Sequence, residues 1–473
     1  MHQSSQQFRE NVVRSLHNPQ LDQALDRTTR YLTGRRTGML SAFPVYEQAR
    51  EQGAAIKDHT LEHLDYYLEL FERNAIASGA KVHWAESPEE ACRLVVEICR
   101  AAEARTVTKS KSMLGEEVGI NEALAAAGLE RVETDLGEHI IQLADEPPSH
   151  IVMPAMHKTH EEVRALFEKH HKGPHDFKDI RDLVYSARRE IRDRYFEADV
   201  GISGANFLIA ESGSTVTVTN EGNAELTTAL PRVHIVTAGI EKVVPTVQDA
   251  TLLLRLLARA ALGTELTQYT TFYNGPRRDG DKDGPEEFHI VLVDNGRTTL
   301  LGNEFREMLR CIRCGACMNV CPVYGAVGGH AYGWVYPGPM GAILTPAITG
   351  LEKAKDLPNA CTLNGKCAEV CPVKIPLNGL LRKLRERAWR RDLVDGYTRW
   401  GLRLWGFAAR RPKLYQALSR VGVGLLGRLG RRRGYFSRLP LAGGWTRHRD
   451  FAAPAGKTFQ QLWAERQRGK GHE

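Results

Sequence analysis

CIRCGACMNVCP at 311–322 and CTLNGKCAEVCP at 361–372 decide how this chain is read. In the first, Cys311, Cys314 and Cys317 recur at every third residue, and Cys321 follows with Pro322 directly behind it. Three thiolates at that interval wrap around one iron–sulfur cube, and the fourth, carried off by the Cys-Pro step, serves the neighbouring cluster. Pro322 ends any helix through the motif, since it has no N–H and clashes with the preceding turn. Gly315 lets backbone approach sulfur, where N–H donors tune the potential.

The second segment repeats the pattern as Cys361, Cys367, Cys371 and Pro372, with Asn364 standing where the middle cysteine would be. Crossed ligation assigns Cys311, Cys314, Cys317 and Cys371 to one 4Fe–4S cluster. Cys321, Cys361 and Cys367 then hold the second with three thiolates. Three ligands suit a 3Fe–4S cluster, or a 4Fe–4S cluster with a non-cysteine ligand on its fourth iron. Zinc also favours four thiolates, but usually as two close pairs, so this run favours iron–sulfur.

Working outward, 473 residues with 42% hydrophobic and 26% charged predict a globular chain of two or three domains. The polar start MHQSSQQFRE is not a signal peptide, and no apolar run reaches the roughly 20 residues of a membrane span. The best candidate, Thr251 to Gly263, is broken by Arg255 and Arg259. The expected location is cytoplasmic, or peripheral at the inner face of the membrane. A reducing compartment argues against disulfides among the nine cysteines. Cys92 and Cys99, on one helical face, read as small core residues.

Four regions follow. Residues 1–75 read as helical. Residues 76–300 alternate β-prone runs (81–84, 105–108, 129–132, 150–153, 205–210, 214–219, 234–238, 288–293) with helical stretches at 89–102, 114–127 and 159–170. That alternation predicts an α/β domain with a parallel sheet, and the short gap between 210 and 214 suggests a hairpin. Residues 274–287 are a polar Gly/Pro-rich loop. Residues 301–384 hold the cysteines. Residues 385–473 form a basic region: from Leu380 onward there are 23 Lys+Arg against 6 Asp+Glu, which leaves the rest of the chain net acidic.

Within the α/β region, Lys109, Lys111 and Ser112 follow a strand and precede a helix, a place that favours an anion. Glu211, Glu221 and Asn223 lie in polar loops at strand ends, where α/β sheets bind ligands. These six are candidate ligand-binding residues, with ordinary turns as the competing reading. His330 reads as part of a packed loop covering the cysteine motifs, and His157, His160, His170, His171 and His175 as surface residues.

GISGANFLIAESGSTVTVTNEGNAELTTALPRVHIVTAGIEKVVPT from 201, KSKSM at 109–113, the two cysteine motifs and GGHAYGWVYPGPMGAIL at 328–344 together resemble the lactate utilisation protein B family. The tail GGWTRHRDFAAPAGKTF at 443–459 resembles it too. The resemblance implies an α/β lactate-utilisation domain with a fold like ribose-5-phosphate isomerase and the CoA transferases. It also implies an α-helical ferredoxin domain and two 4Fe–4S clusters, the second put in question by Asn364. The implied partners are a cysteine-rich heterodisulfide-reductase-like subunit and a second lactate-utilisation-domain protein, oxidising L-lactate to pyruvate together.

A cluster takes one electron at a time, whereas lactate gives up a hydride, and no G-x-G-x-x-G follows a β-prone run and no P-loop G-x-x-x-x-G-K-[ST] occurs, so neither usual nucleotide cradle is recognisable. The chain therefore reads as an electron-transfer subunit without catalytic residues of its own. The alternative is a redox- or iron-sensing ligand-binding protein. Arg382 to Tyr435, with Trp389, Trp400, Trp405 and Phe407 among the arginines, suits docking to partner subunits first and an anionic membrane surface second. Nucleic acid ranks last, as no nucleic-acid motif accompanies the charge.

Overall fold

The computed structural model describes residues 3–439, 443–446 and 449–469. The expected segments 1–75 and 385–473 also include 1–2, 440–442, 447–448 and 470–473, which lie outside the described residues. The chain forms two compact units, Met1–Arg391 and Asp392–Glu473.

Among the described residues of the first unit, ten strands form. They are β1 (Lys81–Ala85), β2 (Thr106–Lys109), β3 (Glu130–Glu133), β4 (Val200–Gly204), β5 (Phe207–Ile209), β6 (Ser214–Thr219), β7 (Val233–Gly239), β8 (Val243–Val244), β9 (Tyr269–Tyr273) and β10 (Glu287–Val293). Six make a sheet in the order β1-β10-β7-β4-β2-β3, every pairing parallel. β7 is buried along its whole length and β10 along all but its first residue, as expected of central parallel strands covered on both faces. The helices Pro88–Ala101, Met113–Val118 and Ile120–Ala126 supply one core layer, through residues such as Val95, Cys99 and Leu124. The anticipated hairpin is the antiparallel pair β5–β6, within a second sheet ordered β8-β5-β6-β9.

The opposite face is covered by Leu64–Ala77, which carries Leu64, Leu68, Phe71 and Ala75 inward. Phe71 is fully buried, a contribution of about 1.5–3 kcal/mol. The helix spans the expected boundary at 75, so the last N-terminal helix is part of the α/β core.

Three local expectations are corrected. The stretch 114–127 is two helices, because Gly119 at φ 87° breaks the ladder between Val118 and Ile120. The run HIVM at 150–153 is a loop and not a strand. There the His150 ring nitrogen Nδ1 accepts the N–H groups of Val152 and Met153, replacing ladder bonds. His157 and His171 are not surface residues either: His171 is buried against His139 and Ser186, and His157 bonds Ser149 and Glu146.

In the second unit, helices Gly396–Ala409 and Pro412–Gly430 are followed by the ribbon β11 (Tyr435–Phe436) and β12 (Phe451–Ala452), and then by helix Phe459–Gly469. Gly396–Ala409 starts on the Asp395 side chain, which accepts the Thr398 N–H, yet it buries none of its residues. No helix among the described residues is long and apolar enough to cross a membrane.

Candidate iron–sulfur centre and the cavity beside it

The two cysteine segments fold alike. Arg313 and Gly315 in the first have φ of 59° and 76°, and Leu363 and Gly365 in the second have 59° and 80°. Each loop enters a one-turn helix, Ala316–Asn319 or Lys366–Glu369, before its Cys-Pro step. Asn364 therefore occupies the place of Cys314. It is exposed, and its Oδ1 accepts the N–H of Lys366.

Cys311, Cys314, Cys317 and Cys371 line one small hollow, closed by apolar groups such as Met308, Met340 and Ile375. Burial raises the Cys314 thiol above its ordinary range, with Cys371 and Cys311 adding to it. Burial also raises Cys317, which feels Cys314, Cys311, Cys371 and then Cys367. Cys367 is pushed up to about 12 by burial, then by Cys361 and Cys321. The seven thiols thus fall into two groups that meet between Cys317 and Cys367. Backbone N–H groups point at sulfur: Leu363 to Cys361 at 3.2 Å, Ile375 to Cys371 at 3.4 Å and Tyr324 to Cys321 at 3.5 Å. Buried thiols that raise one another would not ionise together without a cation among them. With N–H donors on the sulfurs, this donor set fits iron–sulfur ligation.

The reading of residues 1–75 simply as helical did not foresee their part in this site. Arg50 donates to the Cys371 carbonyl from Nε at 3.0 Å and Nη2 at 2.8 Å, and Arg36 donates to the Val370 carbonyl. On the other side Arg385 donates to the Cys361 carbonyl at 2.7 Å. Only the basic character of these residues was legible; the targets of Arg36 and Arg50 lie more than 300 positions away, and that of Arg385 lies 24 away. The segment 331–346 is buried throughout, with Tyr332, Trp334 and Tyr336 packed inside, as the covering-loop reading anticipated.

A cavity of about 380 Å³ opens at the carboxyl ends of β2, β4 and β7. Four of the six candidate ligand residues, Lys111, Ser112, Glu221 and Asn223, line it. Lys109 and Glu211 do not. Lys109 is wholly buried among Glu116, Glu133 and Glu138 at 3.1, 3.2 and 3.5 Å, and the Glu211 carboxylate accepts the Val247 N–H. Ser112 caps Met113–Val118 through the Gly115 N–H.

At its other end the cavity reaches Cys314 past Lys242, Arg313, Arg297 and Tyr336, none of which the sequence reading singled out. Arg297 grips Glu117 through two bonds of 2.9 Å and Glu241 at 2.6 Å. Tyr336 donates to Glu117 at 2.5 Å, and Arg313 stacks over the Tyr336 ring. Burial works against the Glu241 carboxylate, but Arg297 and then Arg313 outweigh it and take the group down to about 2. The Glu241-Lys242 pair straight after an apolar strand was a signal that could have been read.

A parallel α/β domain joined to a seven-thiol double loop defines an iron–sulfur dicluster protein of the electron-transport class. Family models match accordingly: the LUD domain over 68–293, the 4Fe-4S dicluster domain over 307–375, and the C-terminal region of lactate utilisation protein B over 384–468. The chain is 43% identical to lactate utilization protein B of Shouchella clausii, covering 98% of each chain. It is 43% identical to that of Geobacillus sp. WCH70, again over 98% of each. It is 40% identical to the uncharacterized electron transport protein YkgF of Escherichia coli K12, over 89% of this chain and 88% of the other. The chain belongs to the lactate utilization protein B family, and its dicluster domain carries two iron–sulfur clusters.

Proposed function

We propose that the chain is the electron-transfer subunit of a cytoplasmic complex that oxidises L-lactate to pyruvate. The observation that carries this is the grouping of seven thiols, three buried and four half-buried, into two sets meeting at Cys317 and Cys367, four of them lining one hollow. In this reading Cys311, Cys314, Cys317 and Cys371 hold a 4Fe–4S cluster. Cys321, Cys361 and Cys367 hold a 3Fe–4S cluster, a choice supported by the exposed Asn364 in the fourth place. Such clusters accept and release single electrons. The protein's own contribution is to bury the thiols, aim N–H groups at them and exclude water. The α/β part is taken to share the fold of ribose-5-phosphate isomerase and the CoA transferases, and the cysteine part to be an α-helical ferredoxin.

The partners in this proposal are a cysteine-rich heterodisulfide-reductase-like subunit and a second lactate-utilisation-domain protein, docked on the second unit. Support comes from Gly396–Ala409: Trp400 and Trp405 are 65% and 63% exposed. A helix with Gly401 and Gly406 inside it pays about 1 kcal/mol for each relative to Ala and, alone, lacks the packing that usually sustains helices. The test is lactate turnover by the three proteins reconstituted anaerobically. Cys314→Ser should abolish it. Unchanged turnover would overturn the relay and favour the redox- or iron-sensing alternative, for which the cavity beside Cys314 is the one supporting feature.

A further inference from the structure

The six-stranded sheet changes direction beside β4. The chain leaves β2 toward β3 on one side, and leaves β4 toward β7 on the other. Crevices at the carboxyl ends of strands around such a point are where open α/β sheets bind ligands. The cavity lies there, lined by Ser110 after β2, by Asn206 after β4 and by Thr237 at the end of β7. Its volume of about 380 Å³ falls within the range of sites for cofactor-sized molecules.

Its two ends differ in charge. At the β7 end stand Lys242 and Arg313, next to Cys314. Arg313 is engaged by Glu241, but the Lys242 ammonium makes no hydrogen bond or ion pair among the described residues. At the β3 end stand Asp135 and Glu221. Burial, and then Asp135, raise the Glu221 carboxyl to about 7, which lets it donate or accept a hydrogen bond. Between the ends Ser110, only 2% exposed, has an Oγ without a hydrogen-bond partner among the described residues. From β7 to β3 the sheet crosses three strand spacings, about 14 Å.

We propose that this cavity binds an elongated organic anion of cofactor size, with its acidic group at Lys242 beside Cys314 and its hydrogen-bonding end against Asp135 and Glu221. The length excludes a three-carbon acid as the molecule that meets both ends. The unpaired lysine supplies the counter-charge, Ser110 a hydroxyl along the way, and apolar Leu257 and Ala261 a wall.

The test uses the full chain, purified anaerobically with its iron and sulfide assayed. The protein is equilibrated with the low-molecular-mass ultrafiltrate of a cell extract and, in parallel, with flavin mononucleotide, pyruvate and L-lactate. It is then recovered by gel filtration, and bound anions are released with acid and identified by mass spectrometry. We expect an organic anion longer than pyruvate to be retained at about one per chain, and about tenfold less with Lys242→Met, the loss of one charge-assisted contact. Ala261→Trp, which fills the cavity, should release it as well. Both variants should keep their iron, so failure here is separable from failure of the electron-transfer reading. Retention of nothing, equal retention by Ala261→Trp, or retention of pyruvate or L-lactate alone would overturn the proposal.

Discussion

Replacing Arg297 with Met removes the centre of the charge network between the α/β sheet and the segment joining the two cysteine motifs. Arg297 is 2% exposed and holds Glu117 by two bonds and Glu241 by one. Taking away the cation leaves two buried carboxylates, Glu241 with only Arg313 still beside it, and breaking a buried pair from one side costs about 3–5 kcal/mol. A second route gives a similar size. Glu241 is held at about 2 against an ordinary 4.5. At about 1.4 kcal/mol per unit, that depression corresponds to about 3 kcal/mol. Because the folded value lies below the unfolded one, this stabilisation is fully present above about pH 4.5 and disappears as pH falls toward about 2. The assay is urea unfolding of anaerobically prepared protein, followed by tryptophan fluorescence. We expect Arg297→Met to lose about 3–4 kcal/mol at neutral pH, and the gap to narrow by about pH 5, where the carboxylates left without that cation take up protons. A loss below about 1 kcal/mol at neutral pH, or a gap that widens as pH falls, would refute the reasoning.

Three further outcomes are expected. Asn364→Cys should raise iron from about seven to about eight per chain and remove the 3Fe–4S electron-paramagnetic signal of the oxidised protein, because the second loop then repeats the first ligand for ligand. Arg50→Gln leaves the Cys371 carbonyl without its two-armed donor, and should speed loss of iron in air while leaving the fold of the α/β sheet, read by circular dichroism, unchanged. The double change Trp400→Ala and Trp405→Ala should shift stability by no more than about 0.5 kcal/mol, as for other surface positions, yet weaken binding to the partner subunits at least about tenfold in a titration.

How much could be read in advance depended on the range of the interaction. β2, β7 and β10 are rich in apolar or β-branched residues, β1 and β3 mix them with polar ones, and local pattern between helical stretches sufficed to find all five. Spacing alone separated the seven clustered cysteines from Cys92 and Cys99, which lie in the helix Pro88–Ala101 on the sheet side. HIVM failed because one ring nitrogen of His150 substituted for a strand partner, and strand propensity carries no sign of that. Lys109 failed for a related reason. A lysine after a strand looks solvent-facing in sequence, yet three glutamates from separate elements converge on it. The cavity was half legible. Strand-end loops pointed to Lys111, Ser112, Glu221 and Asn223, but its cysteine end is assembled from residues brought together only by tertiary packing.

The same convergence bears on whether the cysteine segment can stand alone. Residues 307–375 match a dicluster model by themselves, which suggests an excisable module. The contacts argue otherwise. The Cys371 carbonyl is held by Arg50 and the Cys361 carbonyl by Arg385, both outside that segment. Gly315 lies against His150 and Val152, so close that an added Cβ would meet their side chains at 3.3 Å, and Gly329 sits against the Ser149 carbonyl. Tyr336 is anchored on Glu117. Excision exposes Tyr324, Tyr332 and Tyr336, all now essentially buried, at about 1.5–3 kcal/mol for each large side chain. Those losses alone are comparable to the whole stability of an ordinary domain, about 5–15 kcal/mol. A peptide spanning 307–375, reconstituted with iron and sulfide, should therefore lose its clusters far faster than the intact chain and show no cooperative unfolding. Equal cluster lifetimes in the two would mean that the surrounding α/β and N-terminal elements contribute nothing to holding the metal.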